Sequence, residues 1–388
     1  MTARDEPDFS RGENASVLRH NFNEVDRNAR RFLRRDARMH FSLACLFSFA
    51  LICLPGCAGS SDGLPVDFGA SQIPPGDPAY RTEVQIKYLG AGGVLIKRGE
   101  DVLLTAPFFS NPSLLRMVFG EIKSLPEQVN RFLGSTGDDL APATAVLVGH
   151  AHYDHLMDMP YIKKKYLPNA KIYGSETMKN ILAGDHTLMP DDVVSVERDV
   201  VGNAKQPGRW WDASQRLRFM ALTSEHAPHI AGLKFFKGKY PEPLQELPTR
   251  AWGWREGQTL AYLIEFLSAD GKTVEFRVHY QDAASNAPLG FPPPSNDPKE
   301  RIDLAIVCMP GFDEVEKYPE EIVDRLQPRF VVIIHWENFF DRLPDDPRDL
   351  RVVPAQDAER FLARLKTKLP EDAVFKLPAP GAWMRFAP

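Results

Sequence analysis

Residues 143–149, Ala-Thr-Ala-Val-Leu-Val-Gly, form a short apolar run of small and β-branched side chains, which predicts a buried strand. Leu156 to Lys165 follows with helical character. Lys171-Ile172-Tyr173-Gly174 is a further strand, and Glu176 to Leu182 a short helix ended by Gly184. Downstream, Arg218 to Thr223, Thr273 to Tyr280, Leu304 to Cys308 and Phe330 to Ile334 repeat the short strand pattern. Between residues 114 and 133 the apolar positions are scattered, as in a helical lid or a surface helix. No internal sequence repeat is evident.

What stands at the strand ends is more telling than the strands. The run 143–149 delivers His150-Ala151-His152-Tyr153-Asp154-His155, three imidazoles and a carboxylate within six residues. Imidazole and carboxylate are ligands that a borderline cation such as zinc accepts without any thiolate. Residues two apart in extended backbone point the same way, so His150 and His152 can grip one ion. Asp154 and His155 lie on the next bend, within reach of a second. A solvated loop is the bland alternative, and the density of the run argues against it. The later strands also end on polar groups: Ser224-Glu225-His226, Gln281-Asp282 and His335.

The pattern His-x-His-x-Asp-His after a strand resembles the signature of the metallo-β-lactamase superfamily, and the later residues follow in that family's order. The resemblance implies an α/β fold, a four-layer αββα sandwich, over residues 83–388. It implies that His150, His152 and His226 hold one divalent ion, expected to be zinc. Asp154, His155 and His335 would hold a second, with Asp282 and a water or hydroxide bridging them. His229, three residues past His226, competes for the third-ligand place or faces substrate. His279, within a strand, and His186, in a loop, are expected to be structural or at the surface. The opening Tyr88-Leu89-Gly90-Ala91-Gly92-Gly93 and Asp101 to Ser110 stretches, with Tyr153, Thr249 to Trp254, Ile334-His335-Trp336 and Phe339, are similar to a narrower branch. That branch holds N-acyl phosphatidylethanolamine-hydrolysing phospholipase D and ascorbate 6-phosphate lactonase. Two departures stand out. Gln281 takes the place of the usual Gly before the bridging Asp282. Ala106 takes the place of an Asp before Pro107 that would buttress the metal loop.

The N-terminal region bears on location. Residues 1–40 are Arg-rich and poor in large apolar side chains, reading as disordered or as a charged leader. Residues 41–54 are an apolar stretch of signal length, too short to span a bilayer, and Leu54-Pro55-Gly56-Cys57 resembles a bacterial lipobox. The expected organisation is a signal segment and lipobox over 1–57, a flexible tether over 58–82, and the hydrolase domain beyond. Lipid on Cys57 would anchor the protein at the periplasmic face of a membrane, with Ala58 favouring the outer one. Only Cys308 then remains, in an apolar run that reads as a buried core position, so no disulfide can form within the mature chain.

With residues 1–56 removed, 38 basic and 45 acidic side chains leave a charge of −7, against −5 for the whole chain. Such a surface repels polyanions, so nucleic acid is not the expected partner. The leading expectation is a phosphodiesterase, phospholipase D-like, acting on a small-molecule or lipid diester through two zinc ions and a bridging hydroxide. Asp154 would orient that hydroxide, and no general acid is identified beyond Asp154 itself or the second ion. Alternatives are a lactonase or thioesterase, and a non-catalytic envelope binding protein. Aromatic and basic residues over 230–257 would either line a substrate pocket or pack the sandwich. The Pro-rich loop 288–298 would rim the site.

Overall fold

Strands built from these apolar runs assemble into two sheets in a computed structural model. It describes residues 59–200, 208–229, 232–293 and 301–388. The charged stretch 1–40, the apolar stretch 41–54, Cys57 and residues 294–298 of the Pro-rich loop lie outside the described residues. Numbered along the chain, the strands are β1 (Val66–Asp67), β2 (Val84–Gly90), β3 (Gly93–Arg98), β4 (Asp101–Thr105), β5 (Ala145–Leu147), β6 (Lys171–Gly174), β7 (Val193–Ser195), β8 (Trp210–Asp212), β9 (Leu217–Thr223), β10 (Leu260–Leu267), β11 (Val274–Gln281), β12 (Leu304–Cys308), β13 (Phe330–Ile334), β14 (Val374–Pro378) and β15 (Trp383–Phe386). One sheet has the order β15-β2-β3-β4-β5-β6-β7, the other β1-β14-β13-β12-β11-β10-β9-β8.

Both sheets follow one plan. Antiparallel neighbours come first, β2-β3-β4 in one sheet and β8-β9-β10-β11 in the other. Parallel strands with crossover helices then extend each sheet, β4-β5-β6-β7 and β11-β12-β13-β14. Hydroxyls reach from one sheet to the other: Tyr262 on β10 donates to the Val148 carbonyl beyond β5, and Tyr280 on β11 to the Gly92 carbonyl in the β2–β3 turn. Every residue of β2, β10 and β12 is buried, so these strands are covered on their outer faces as well. Helices supply that cover through residues such as Ile162, Ile181, Val323 and Phe361, each at most 1 % exposed. The result is a mixed α/β, four-layer αββα arrangement. Within β10 the fully buried Glu265 lies opposite Arg218 and Arg277 in register and pairs with both, so no buried charge is left alone.

Several expected elements differ in extent. The strand read over 143–149 is Ala145–Leu147, and the scattered apolar region is two short helices, Leu114–Phe119 and Pro126–Leu133. A larger departure concerns residues 58–82, read as a flexible tether. Their described part is fastened to the domain. Val352 N–H donates to the Gly59 carbonyl, Ser60 bridges Arg351, and β1 pairs in parallel with β14. Ile73 is buried, its N–H on the Gln85 side chain. Polar, Gly- and Pro-rich composition does not bar a segment from edge pairing, which uses backbone groups alone. No helix among the described residues is long and apolar enough to cross a membrane.

One buried carboxylate shapes the rim of the strand ends. Asp158, fully buried, accepts hydrogen bonds from the N–H groups of Phe109 and Ser110 and the hydroxyls of Ser110 and Ser124. It ties the loop after β4 to the turn that follows His155. Asp158→Ala would leave these donors facing a void. We expect a loss of about 2–4 kcal/mol in urea unfolding; a loss under about 0.5 kcal/mol would show that the loop is held by other contacts.

Candidate metal centre

The C-terminal ends of β5, β9, β11 and β13 meet at one edge of the sandwich. The chain leaving β5 carries His150 and then His152, the latter in extended backbone, and winds into the short helix Tyr153–Leu156, which turns Asp154 and His155 back toward the same point. His226 follows β9, Asp282 follows β11 and His335 follows β13. The structure therefore brings together all seven residues singled out in the sequence. Ligand-type atoms lie within 4.8 Å of one another in three groups: His150, His152 and His226; His150, His155 and Asp282; Asp154, His155 and His335. Asp282 lies between the other two sets, 3.2 Å from His150 Nδ1 and 3.3 Å from His155 Nδ1. Asp154 is 3.3 Å from His335 Nε2 and 3.6 Å from His155 Nε2.

A test of fit for cations comes from the unpaired atoms. His150 Nε2, His152 Nε2, both ring nitrogens of His155, His335 Nδ1 and Asp282 Oδ2 are buried and make no hydrogen bond. Buried polar atoms almost always have a partner, and here the missing partners converge on one place. His226 Nδ1 donates to the Ala227 carbonyl at 2.6 Å, which leaves its Nε2 lone pair for a ligand. Imidazole nitrogens and carboxylate oxygens suit two divalent ions such as zinc. His150, His152 and His226 would hold one, Asp154, His155 and His335 the other, with Asp282 between.

Electrostatics within the cluster is dominated by burial. Burial, then the charge of neighbouring imidazoles, holds His150 and His152 well below the usual imidazole range and puts His155 at about 3. Burial pushes Asp154 up, but the imidazoles of His155, His335 and His152 outweigh it and hold the carboxyl well below its ordinary value. Asp282 is raised by burial despite the imidazoles of His155, His335 and His226. Burial lowers His335, yet its bond to Asp154 and the nearby carboxylates bring it above the usual value.

The surrounding backbone is shaped to the cluster. A Cβ on Gly92 would sit 2.6 Å from His155 Nδ1, and one on Gly149 2.1 Å from the Asp282 carboxylate, so both positions need glycine for space. His335 itself has φ +63°, a left-handed conformation that costs a branched residue about 1–2 kcal/mol. Its N–H donates to Tyr88 Oη at 2.8 Å. Tyr88 donates in turn to the buried Glu337 carboxylate, which also accepts the Ala91 N–H. This net ties the β2–β3 turn to the last ligand.

The two departures from the family pattern have visible consequences. Gln281 is buried, and its amide donates to Ala283 O and Ser285 Oγ, holding the loop beyond Asp282. Ala106 offers no carboxylate, and its N–H goes to the Leu147 carbonyl. The neighbouring Thr105 hydroxyl instead donates to Gly92 O and accepts from Val94 N–H. Of the other histidines, His279 is buried with Nε2 on Gly290 O, and His186 is exposed. Cys308 is a free, buried thiol. Sequence reasoning missed Asp158 and Glu337, and drew no role for Tyr88 beyond its turn. Their partners lie dozens to hundreds of residues away, so no local pattern marks them. The 230–257 stretch divides: Trp254 is buried at 1 % while Trp252 is 41 % exposed.

No family model matches the chain, and no curated protein matches it. Solved structures do resemble it at low identity. Igni18, a metallo hydrolase from the archaeon Ignicoccus hospitalis KIN4/I, aligns at 14% identity over 79% of this chain and 99% of its own, with a TM-score of 0.44. YhfI, a metallo-β-lactamase fold protein from Bacillus subtilis, aligns at 14% over 78% of this chain and 99% of its own, TM-score 0.42. CmlA, a diiron β-hydroxylase from Streptomyces venezuelae, aligns at 14% over 82% of this chain and 55% of its own, TM-score 0.44. Identities this low carry no residue role across. The chemistry must be argued from the cluster itself.

Burial puts His279 at about 4, alongside the depressed His150, His152 and His155. In metal-free protein these rings are neutral when folded, but they protonate in the unfolded chain below about pH 6.5. Their stabilising contribution is whole above that pH. It is lost as pH falls toward the folded values, at about 1.4 kcal/mol per pH unit per ring. His335, shifted the other way, offsets part of this. Thermal unfolding of EDTA-treated protein is expected to show a Tm that drops steeply below about pH 6.5. A flat Tm down to about pH 4.5 would mean that these rings are not held neutral.

Proposed function

We propose that this protein is an exported, lipid-anchored hydrolase of phosphodiesters that works with two divalent ions, zinc being the expected metal. The observation that carries the reading is the convergence of seven imidazole and carboxylate groups, six of them buried and His226 half-buried, among which six polar atoms make no hydrogen bond. When bound, two such ions would lower the pKa of a coordinated water toward 7 and neutralise charge on a phosphoryl oxygen. The rest is the work of the chain. Asp154, held ionised by its imidazole neighbours, is the acceptor best placed to orient an attacking water. Asp282, between the two histidine sets, fixes their separation.

The flanks of the cluster favour a diester with apolar groups on both sides of phosphorus. Phe236 lies edge-on to His152 at 5.6 Å, beside Phe235. On the other side Phe339 lies 4.6 Å from His335, with Phe340 tilted against it at 4.3 Å. Phe235, Phe236 and Phe340 are half-buried, as side chains at an opening are. A phospholipase D-like substrate would place its acyl and headgroup arms against these pairs.

The anchor reading rests on residues 41–54 and the lipobox-like Leu54-Pro55-Gly56-Cys57. Cys57→Ser expressed in a bacterial host should move the protein from the detergent to the aqueous phase of a Triton X-114 partition. Equal partition of the two forms would remove the lipid anchor.

Zinc-loaded protein is expected to turn over bis(p-nitrophenyl) phosphate, and Asp154→Ala to lose at least about 100-fold in kcat, the range for a positioned acid or base. Protein that holds two zinc equivalents and leaves the diester intact would sink the diesterase reading. Lactones and thioesters would then be the substrates to assay.

A further inference from the structure

His229 lies three residues past His226 in a turn closed twice. Its N–H donates to the Leu233 carbonyl at 2.8 Å, and the Phe235 N–H donates to its Nδ1 at 3.1 Å. The ring stacks on His226 with centroids 4.7 Å apart and planes 19° from parallel. It stands 5.7 Å from His152, and Phe236 meets it edge-on at 5.9 Å. It is half-buried, whereas His150, His152 and His155 are buried.

The hydrogen bond at Nδ1 decides what this ring can do. An amide N–H pointing at Nδ1 requires a lone pair there, because a protonated Nδ1 would set two donors against each other. The ring is therefore neutral and carries its proton on Nε2. A nitrogen that bears a proton cannot ligate a metal, and among the described residues His229 belongs to no ligand group. Nor can this ring act as a general acid, since giving up the Nε2 proton would leave an imidazolate. What remains is a fixed donor, with Nε2 making no hydrogen bond among the described residues.

We infer that His229 binds an anionic oxygen of the substrate through Nε2–H, alongside the ion held by His150, His152 and His226. This rests on the two-metal reading of the cluster and adds to it a specificity element for a phosphoryl oxygen. His226 and His229, stacked in one turn, thus divide the work: one imidazole offers a lone pair to a cation, the other a proton to an anion.

The test uses inorganic phosphate as the probe, titrated calorimetrically into zinc-loaded wild-type, His229→Phe and His229→Leu proteins, with zinc content measured on the same samples. His229→Phe keeps a ring to stack on His226 while removing the Nε2–H donor, together with the Nδ1 acceptor of the Phe235 N–H, so it decides the matter if His229→Leu does not fold. Both variants are expected to retain two zinc equivalents and to bind phosphate roughly 10- to 100-fold more weakly, the span for a hydrogen bond to a charged group. Loss of one zinc equivalent would make His229 a ligand and overturn the proposal. Unchanged phosphate affinity would make it a packing residue and overturn it too. Wild-type protein that holds two zincs and binds no phosphate does the same. Because turnover is not read, failure of the diesterase reading is seen separately, as phosphate binding without diester cleavage.

Discussion

Six ionisable groups are buried at one edge of this sandwich beside the half-buried His226, and five of them keep polar atoms without a protein hydrogen bond. Every other feature of that edge follows from this cost. An unpaired buried polar atom costs on the order of 1–3 kcal/mol, and a charged one more. His150, His152, His155, His335 and Asp282 together contribute six such atoms. The fold tolerates them only if something cationic balances the carboxylates and occupies the imidazole lone pairs. Where burial elsewhere brings charge inside, as at Glu265, the chain supplies its own counter-charges in Arg218 and Arg277. At the candidate metal edge the chain sets Asp154 against His335 and His155 but leaves six buried atoms without a hydrogen bond, and that difference separates a site from a structural ion pair.

Holding such a cluster open is a matter of backbone. Gly92 and Gly149 leave room where any side chain would strike His155 or Asp282. His335 is kept in a left-handed conformation by the Tyr88 hydroxyl, itself fixed by Glu337. That strain is small beside the net that imposes it, which couples the β2–β3 turn, β13 and the bridge to Val352. Asp158 does the same for the loop after β4. These residues touch no ion in the proposed arrangement, yet they set where each ligand points.

This division explains which features could be read from the chain. Ligands sit at strand ends in a local pattern, so His150 to His155 announce themselves, and His226, Asp282 and His335 follow once the strands are found. The supporting residues pair across great sequence distances: Asp158 with Phe109, Glu337 with Ala91, Tyr280 with Gly92. Single positions carry no trace of such partners. Residues 58–82 read as a flexible tether for a different reason. Gly, Ser, Pro and Asp dominate their composition, as in a linker, but edge pairing draws on backbone N–H and C=O groups that composition does not report, and Ile73 and Tyr80 add buried side chains. Helix and strand limits shifted by a few residues, as at β5, where the run of apolar residues continues past the paired segment.

The candidate ligands are also shared between the two halves of the sandwich. His150, His152, Asp154 and His155 come from the first sheet, and His226, Asp282 and His335 from the second. Ions in this cluster would therefore cross-link the halves, and binding energy would become folding energy. Protein contacts make the same crossing without any metal, through Tyr262 to Val148, Tyr280 to Gly92 and the edge-to-face packing of Tyr173 and Phe219. A hydroxyl bond contributes only about 1 kcal/mol. The fully buried apolar side chains between the sheets, such as Phe219, Ile264 and Val278, contribute roughly 1.5–3 kcal/mol each before entropy is counted. The core therefore outweighs the ions in holding the halves together. What the ions would decide is local: whether the strand ends close to ligand distance or spring apart under the repulsion of Asp154 and Asp282. A fold secured by its core can carry an edge that is incomplete without metal, and that arrangement lets the chain spend buried charge on chemistry.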